Sequence, residues 1–352
     1  MNQIPKVKSL SFDREAWKSK MLVVSLVFLV LVTFLISLAV GRYPIKVNDL
    51  ISMIVCKITG VECNVPTTVQ NVFFCVRLPR IFAALIIGAA LAVSGASYQG
   101  IFKNPMVSPD ILGASSGAGF GAGLGILLSF RIVEIQISAF FFGILAVLLT
   151  YFISSVIEKS SGKVLTMVLV GMVISTLFQS FLSMIKYVAD PNSKLPAITF
   201  WLMGSISSIN VQDLKLLFIS LLLGLLPLML LRWKLNIMSF GDEEAKAMGV
   251  NVDAIRVIVI LCSTIMTSAV VAISGVIGWV GLIIPHFCRM IVGPDYKKLI
   301  PVSMVIGGCF LLSVDNLSRS LFSMELPIGI LTAIIGAPFF TYLLIRGKKG
   351  WL

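Results

Sequence analysis

Histidine is almost missing from this sequence: His286 stands alone among 352 residues. No H-E-x-x-H or comparable group of ligand types occurs, which argues against a metal site. The six cysteines form no C-x-x-C pair, so a thiolate metal site is not expected either. No G-x-x-x-x-G-K-[ST] stretch is present, so the chain does not cradle nucleotide phosphates by that route. Charged residues make up 12% of the chain, where a soluble domain carries about 25%. Within the apolar runs carboxylates are scarce, with Asp315 and Glu325 near the ends of two of them. Proton-driven pumps carry acidic or histidine relays at membrane depth, so this scarcity counts against a proton-coupled carrier. No cluster of catalytic side chains is found, which counts against a membrane-embedded enzyme.

What is abundant is apolar length. Hydrophobic residues are 58% of the chain and the mean hydropathy is +1.02. A membrane span needs about 20 mostly apolar residues. Ten runs are read as spans, at 20–40, 80–101, 111–130, 135–157, 164–187, 212–231, 255–275, 279–292, 300–318 and 327–345. The expected fold is therefore an all-α polytopic membrane protein. One transmembrane domain covers 1–352, with 1–19 as an N-terminal segment and 20–346 as the ten-helix part. The first apolar run, Met21 to Val40, is too long for a cleavable leader and lacks a small-residue cleavage site. With the N-terminus placed inside, 18 of the 28 lysines and arginines fall on the inner loops and helix ends. That bias predicts that both termini are cytoplasmic. It also accounts for the net charge of +12 without nucleic acid as a partner.

Several stretches invite a closer reading. "GAGFGA" (117–122) matches a loose dinucleotide fingerprint but lies inside an apolar run with no strand before it. Gly117, Gly121 and Gly125, spaced by four, fit a close helix-packing face better. "FKNPMVSPDILGASSGAG" (102–119) is either an ordinary turn, with Asp110 capping the next span, or non-helical backbone lining a path. His286 reads as a structural hydrogen-bonding residue. In the inner loop 232–256, Asp242 to Met248 reads as a short helix after Gly241, with acids in its first turn and Gly249 at its stop. It is a solvated connector or a docking element, and pattern alone does not choose. "VNDLISMIVCKI", in the outer segment 41–76, reads as a short surface helix; Cys56 and Cys63 could form an external disulfide, but spacing alone favours free thiols. Arg77, Arg80 and Arg319 sit at outer span ends. They either snorkel to headgroups, with Arg319 pairing to Asp315 four residues back, or form a basic rim for an acidic partner.

The stretch "RLPRIFAALIIGAALAVSGASYQGIFKNPMVSPDILGASSGAG" resembles the signature of the FecCD family of ABC importer permeases. Its members include vitamin B12, ferric-siderophore and haem importers. The block at 274–344, from "SGVIGWVGLIIPHFCRMIVGPD" to "ELPIGILTAIIGAPFFTYLL", resembles the family's C-terminal signature, and "GDEEAKAMGV" (241–250) lies between the two.

The resemblance implies a permease of the prokaryotic cytoplasmic (inner) membrane. It would pair with a second copy or a paralogous permease, two cytoplasmic ATPase subunits and an external substrate-binding protein. ATP and magnesium would sit on the ATPase, leaving this chain with no cofactor and no catalytic residues. Arg77, Arg80 and Arg319 would meet glutamates of the binding protein. Asn104, Pro105 and Met106 would form the cytoplasmic gate, with a weakly matched second constriction around Val164 to Thr166. Gly241, Asp242, Glu243, Glu244, Ala245, Met248 and Gly249 would form the element that couples to the ATPase. Ferric siderophore is the first expectation for cargo, ahead of haem, cobalamin or a molybdate-type oxyanion. A stand-alone secondary transporter is the alternative from a different class.

Overall fold

The computed structural model describes residues 6–41, 43, 45–60, 64–157, 163–321 and 324–347. Helix α1 spans Lys6–Ala39 and α2 spans Val47–Thr59. Helix α3, Thr67–Ile101, is continuous but includes a π-helical stretch at Val72–Arg77. After a loop and a 3₁₀ turn at Pro109–Leu112 come α4 (Ala114–Leu127), α5 (Ile132–Ile157), α6 (Lys163–Val188) and α7 (Lys194–Leu202). The next three helices are α8 (Val211–Met238), the short α9 (Asp242–Ala247) and α10 (Val252–Ser274). The chain closes with α11 (Val280–Val292), α12 (Tyr296–Ser320) and α13 (Ile328–Gly347).

Each of the ten expected spans coincides with a helix. Among the described residues seven helices are long and apolar enough to cross a membrane, and α11 and α13 hold shorter apolar stretches. The surface helix expected in 41–76 is α2, and the short helix of the long loop is α9. Helix α7 was not expected: its nine residues follow Pro191 and Asn192, and Asp190 fixes the turn by accepting hydrogen bonds from the backbone of Asn192 and Ser193. Cys63 lies outside the described residues, so the question of its pairing with Cys56 does too.

Helix starts obey local chemistry. Asn210 and Asp213 form a reciprocal capping box on α8, Asn251 caps α10, and Asp295 caps α12.

Helix α3 is the hub. Nearly every side chain from Pro79 to Ile101 is buried, enclosed by α8, α10, α11 and α12. In a bilayer, apolar burial gives little drive for helix association, and close packing of small residues matters more. The contacts fit that rule. A Cβ on Gly95 would lie 1.8 Å from the Gly281 carbonyl oxygen, and one on Gly88 would lie 2.2 Å from that of Gly307. Here α3 touches α11 and α12 backbone to backbone. Gly117, Gly121 and Gly125 all face α5: a Cβ on the first two would meet the carbonyl oxygens of Phe142 and Ser138, and on the third the Ile135 side chain. The outer helices α1, α5, α6 and α8 leave long apolar faces exposed, as lipid or a second chain requires.

Candidate functional site: the two ends of the helical hub

At one end of α3, the π-helical stretch finishes on Arg77, and Arg80 lies one turn further. Both are buried, 4% and 5% exposed, as is Arg319 of α12 at 6%. Asp315, fully buried, lies between two of them. It accepts from Arg80 Nη2 at 2.8 Å and Nε at 3.0 Å, and its Oδ2 lies 3.1 Å from Arg319 Nε. Arg80 Nη1 reaches Glu325 at 2.9 Å. Arg319 donates also to Ser37 Oγ (2.8 Å) and the Val40 carbonyl (3.2 Å), and Arg77 to the carbonyls of Leu38 and Tyr43. These three guanidiniums are committed inward, because a buried cation needs a counter-charge or a full set of acceptors. They bind the end of α1 and the α12–α13 turn to the hub. The local Arg319–Asp315 pair read from the sequence is present.

The opposite end of α3 runs into the loop Lys103–Ser108. Lys103 has a positive φ of 50°, and Asn104 donates its backbone N–H to the Gln99 carbonyl. Asn104 Oδ1 accepts the backbone N–H of Met106 at 2.9 Å, closing an Asx turn across Pro105. Met106 is exposed. The adjoining 3₁₀ turn wedges between helices: a Cβ on Gly171 of α6 would strike the Ile111 carbonyl, and one on Gly281 of α11 would strike Pro109. Asp110 accepts from Ser115 Oγ in the first turn of α4, while the cap position itself is Gly113.

This loop is wired to α9. Lys103 Nζ donates to Asp242 Oδ1 at 2.7 Å, and Arg256 Nη2 of α10 donates to Asp242 Oδ2 at 2.6 Å. Burial works against the Asp242 charge, but the hydrogen bonds and charges of Lys103 and Arg256 hold its carboxyl below the ordinary value. Gly241, at φ 151°, and Gly249, at φ 79°, bracket the short helix in backbone conformations that disfavour side chains. Glu243 pairs with Lys246 on the exposed side, Ala245 is buried beneath the helix, and Met248 is exposed. Glu244 lies against Gly241. The Lys103–Asp242 link was invisible to pattern reading, since 139 positions separate the two residues.

Between the two ends, α6 carries Thr176, Gln179, Ser180 and Ser183 on its exposed side at helical spacing. Thr176, Ser180 and Ser183 donate to carbonyls four residues back in their own helix. Val164 and Thr166, at the start of α6, are part-buried. His286 packs edge-on against Phe340, with ring centroids 6.5 Å apart. Among the described residues no group of three or more His, Cys, Asp or Glu is placed to hold a metal.

Comparison with known proteins gives the arrangement its family. The FecCD transport family matches residues 29–346. The molybdate import system permease protein MolB of Haemophilus influenzae is 43% identical over 325 residues, covering 92% of this chain and 95% of that one. A Helicobacter pylori protein described as an iron chelatin transport system permease is 40% identical over 275 residues, 78% of this chain and 82% of that one. Among solved structures, an inward-facing transporter described as of the metal-chelate ABC type superposes with a TM-score of 0.83 at 41% identity, covering 93% of this chain and 99% of that one. The chain belongs to the FecCD transport family.

Proposed function

We propose that this chain is the membrane permease of an ATP-driven importer and works by alternating access at the interface between two permease chains. The observation that carries the reading is the Lys103–Asp242–Arg256 linkage. A short acidic helix at a membrane boundary is a natural docking element, and this one is joined directly to the loop that closes one end of the hub. Motion imposed on α9 by a cytoplasmic ATPase would be passed to Asn104, Pro105 and Met106. The polar stripe on α6 supports a path along that helix, because polar side chains in a span face a cavity or a partner rather than lipid. Asp315 and Glu325, the acids near the span ends, are both engaged in ion pairs, which favours an external energy source over proton coupling. ATP and magnesium belong to the ATPase in this scheme.

On this reading α9 faces the cytoplasm, both termini lie on that side, and the membrane is the inner membrane of a prokaryote. The Arg80–Asp315 end faces outward and receives the binding protein. Arg77, Arg80 and Arg319 would reach its carboxylates only by exchanging present partners, and Glu325 is the more accessible member of the Arg80 ion pairs.

For cargo we place a molybdate-type oxyanion first, on the extent of similarity to the molybdate permease. Ferric siderophore, the expectation from sequence, stands second, supported by the iron chelatin relative. The test is competition for uptake in proteoliposomes holding the permease with its ATPase, its binding protein outside and ATP inside. ATP-dependent uptake of molybdate, blocked by tungstate and not by ferric siderophores, haem or cobalamin, supports the first reading. Uptake of a ferric siderophore replaces it with the second, and uptake of neither overturns both.

A further inference from the structure

A cleft of about 170 Å³ opens beside the Lys103 loop, lined by Gln99, Lys103, Asn104, Ser239, Arg289 and Tyr296, with Gly100 and two prolines completing the wall. Its walls carry two cations and no carboxylate. Arg289, in the last turn of α11, is only 9% exposed. It donates to Gln99 Oε1 and, at 3.4 Å, to the Tyr296 hydroxyl. Gln99 presents that oxygen because its own amide nitrogen is bound to the Leu282 carbonyl at 3.1 Å.

Arg289 differs from the other buried arginines of the described chain. Arg80, Arg256 and Arg319 each have a carboxylate within 4 Å, and Arg77 is held by two carbonyls at 2.5 and 2.8 Å. Arg289 has an amide oxygen and one long hydroxyl contact. The negative end of the α11 dipole helps, but a helix end is only a partial charge and does not replace a carboxylate. A cation taken out of water calls for a partner charge. The nearby acids are committed elsewhere: Asp242 to Lys103 and Arg256, and Asp295 to Asn236 and the start of α12.

We propose that this cleft binds a free tetrahedral oxyanion of the phosphate, sulfate or molybdate type. Donor-bearing residues line it on several sides: Arg289, Asn104, Tyr296 and Lys103, whose ammonium also donates to Asp242 and would share its remaining protons with the anion. Such a spread of donors suits four oxygens better than a flat carboxylate. At about 30 Å³ per water, the cleft has room for the anion and a few waters. Bound there, the anion would touch both Lys103, the residue joined to α9, and the α11–α12 connection. It would brace the loop against α9, so occupancy would slow movement of that end. The site stands on side-chain chemistry; the braking role rests on the permease reading.

The test is calorimetric titration of the delipidated full chain, in complex with its ATPase and with the ATPase nucleotide sites saturated by a non-hydrolysable ATP analogue, using inorganic phosphate and sulfate at constant ionic strength. Saturable one-to-one binding is expected, with chloride failing to compete. Arg289→Gln should weaken it at least tenfold, and Lys103→Gln and Asn104→Ala severalfold; the latter two residues are exposed, so these variants will fold even if the first does not. Equal binding by wild type and Lys103→Gln, displacement by chloride, or no binding overturns the proposal. Occupancy only by phosphatidic acid in nanodiscs, with inorganic phosphate inert, overturns it in favour of a lipid headgroup. ATP-driven uptake by the same wild-type complex is read separately, so loss of the site and loss of the permease reading are told apart.

Discussion

Lys103 and Asp242 meet at 2.7 Å across the end of the helical hub, joining the loop after α3 to the first residue of α9. Both side chains are about one-third exposed, so solvent screens the contact. A double-mutant cycle on Lys103→Ala and Asp242→Ala should return a stability coupling of about 0.2–1 kcal/mol. The larger effect is expected in transport. Asp242→Ala should raise the ATP hydrolysed per molecule carried while leaving ATPase assembly intact. An unchanged ratio would remove the linkage from the coupling route.

The same carboxylate sets a pH dependence. The Asp242 carboxyl is held below its ordinary value in the folded chain, burial being outweighed by Lys103 and Arg256. A depressed carboxylate contributes stability that is complete above its unfolded pKa, about 3.9, and lost as pH falls through the lower folded value. Thermal unfolding of wild type and Asp242→Asn should therefore differ by a constant amount from pH 8 to about 5 and converge below about pH 4. A difference that grows toward acid would contradict the assignment.

Asp315 should be the most costly acid to neutralise. Asp315→Asn leaves Arg80 and Arg319 without their shared counter-charge inside the protein. Breaking a buried pair in this way costs about 3–5 kcal/mol. Thermal stability in detergent should drop sharply, or the chain should fail to accumulate. Glu325→Gln, whose side chain is 27% exposed, should be far milder. Equal effects would mean that the Arg80 cluster does not hold α12 to the hub.

Backbone contact at Gly95 and Gly281 predicts intolerance of a single methyl. Gly95→Ala has nowhere to place its Cβ, whereas nothing lies within 4 Å of a Cβ on Gly278. Overpacking of this kind costs about 1–3 kcal/mol. Gly278→Ala is the control and should unfold at the wild-type temperature. Matching melting temperatures for both variants would rule out the close approach of α3 and α11.

The α6 stripe makes a prediction about assembly. If two permease chains meet along α6 around the path, cysteines introduced at Ser180 or Ser183 should cross-link between copies or react with small aqueous thiol reagents. Phe181→Cys, also exposed but turned about 100° or more around the helix from both, should do neither efficiently. Identical labelling of all three would place the stripe in lipid.

The sequence disclosed helices better than partners. Apolar length and glycine or proline breaks located a helix at each of the ten expected positions, because each signal is local. Gly117, Gly121 and Gly125 face one neighbour because a spacing of four is itself a face. Arg319–Asp315 was legible for the same reason. Arg80–Asp315 and Lys103–Asp242 were not, since their partners are 235 and 139 positions away. Without those pairs, cations at span ends look like an open rim. Helix α7 was missed because nine residues after a proline carry no full apolar period.

The central claim is that transport through this chain is driven by ATP on a partner subunit. Proteoliposomes should contain the permease and its ATPase, with the loaded binding protein outside and either ATP or a non-hydrolysable analogue trapped inside. Cargo accumulating against its gradient with ATP alone, and stopping when the binding protein is withheld, is the predicted result. Accumulation with the analogue, or driven by a proton gradient without the ATPase, would contradict it.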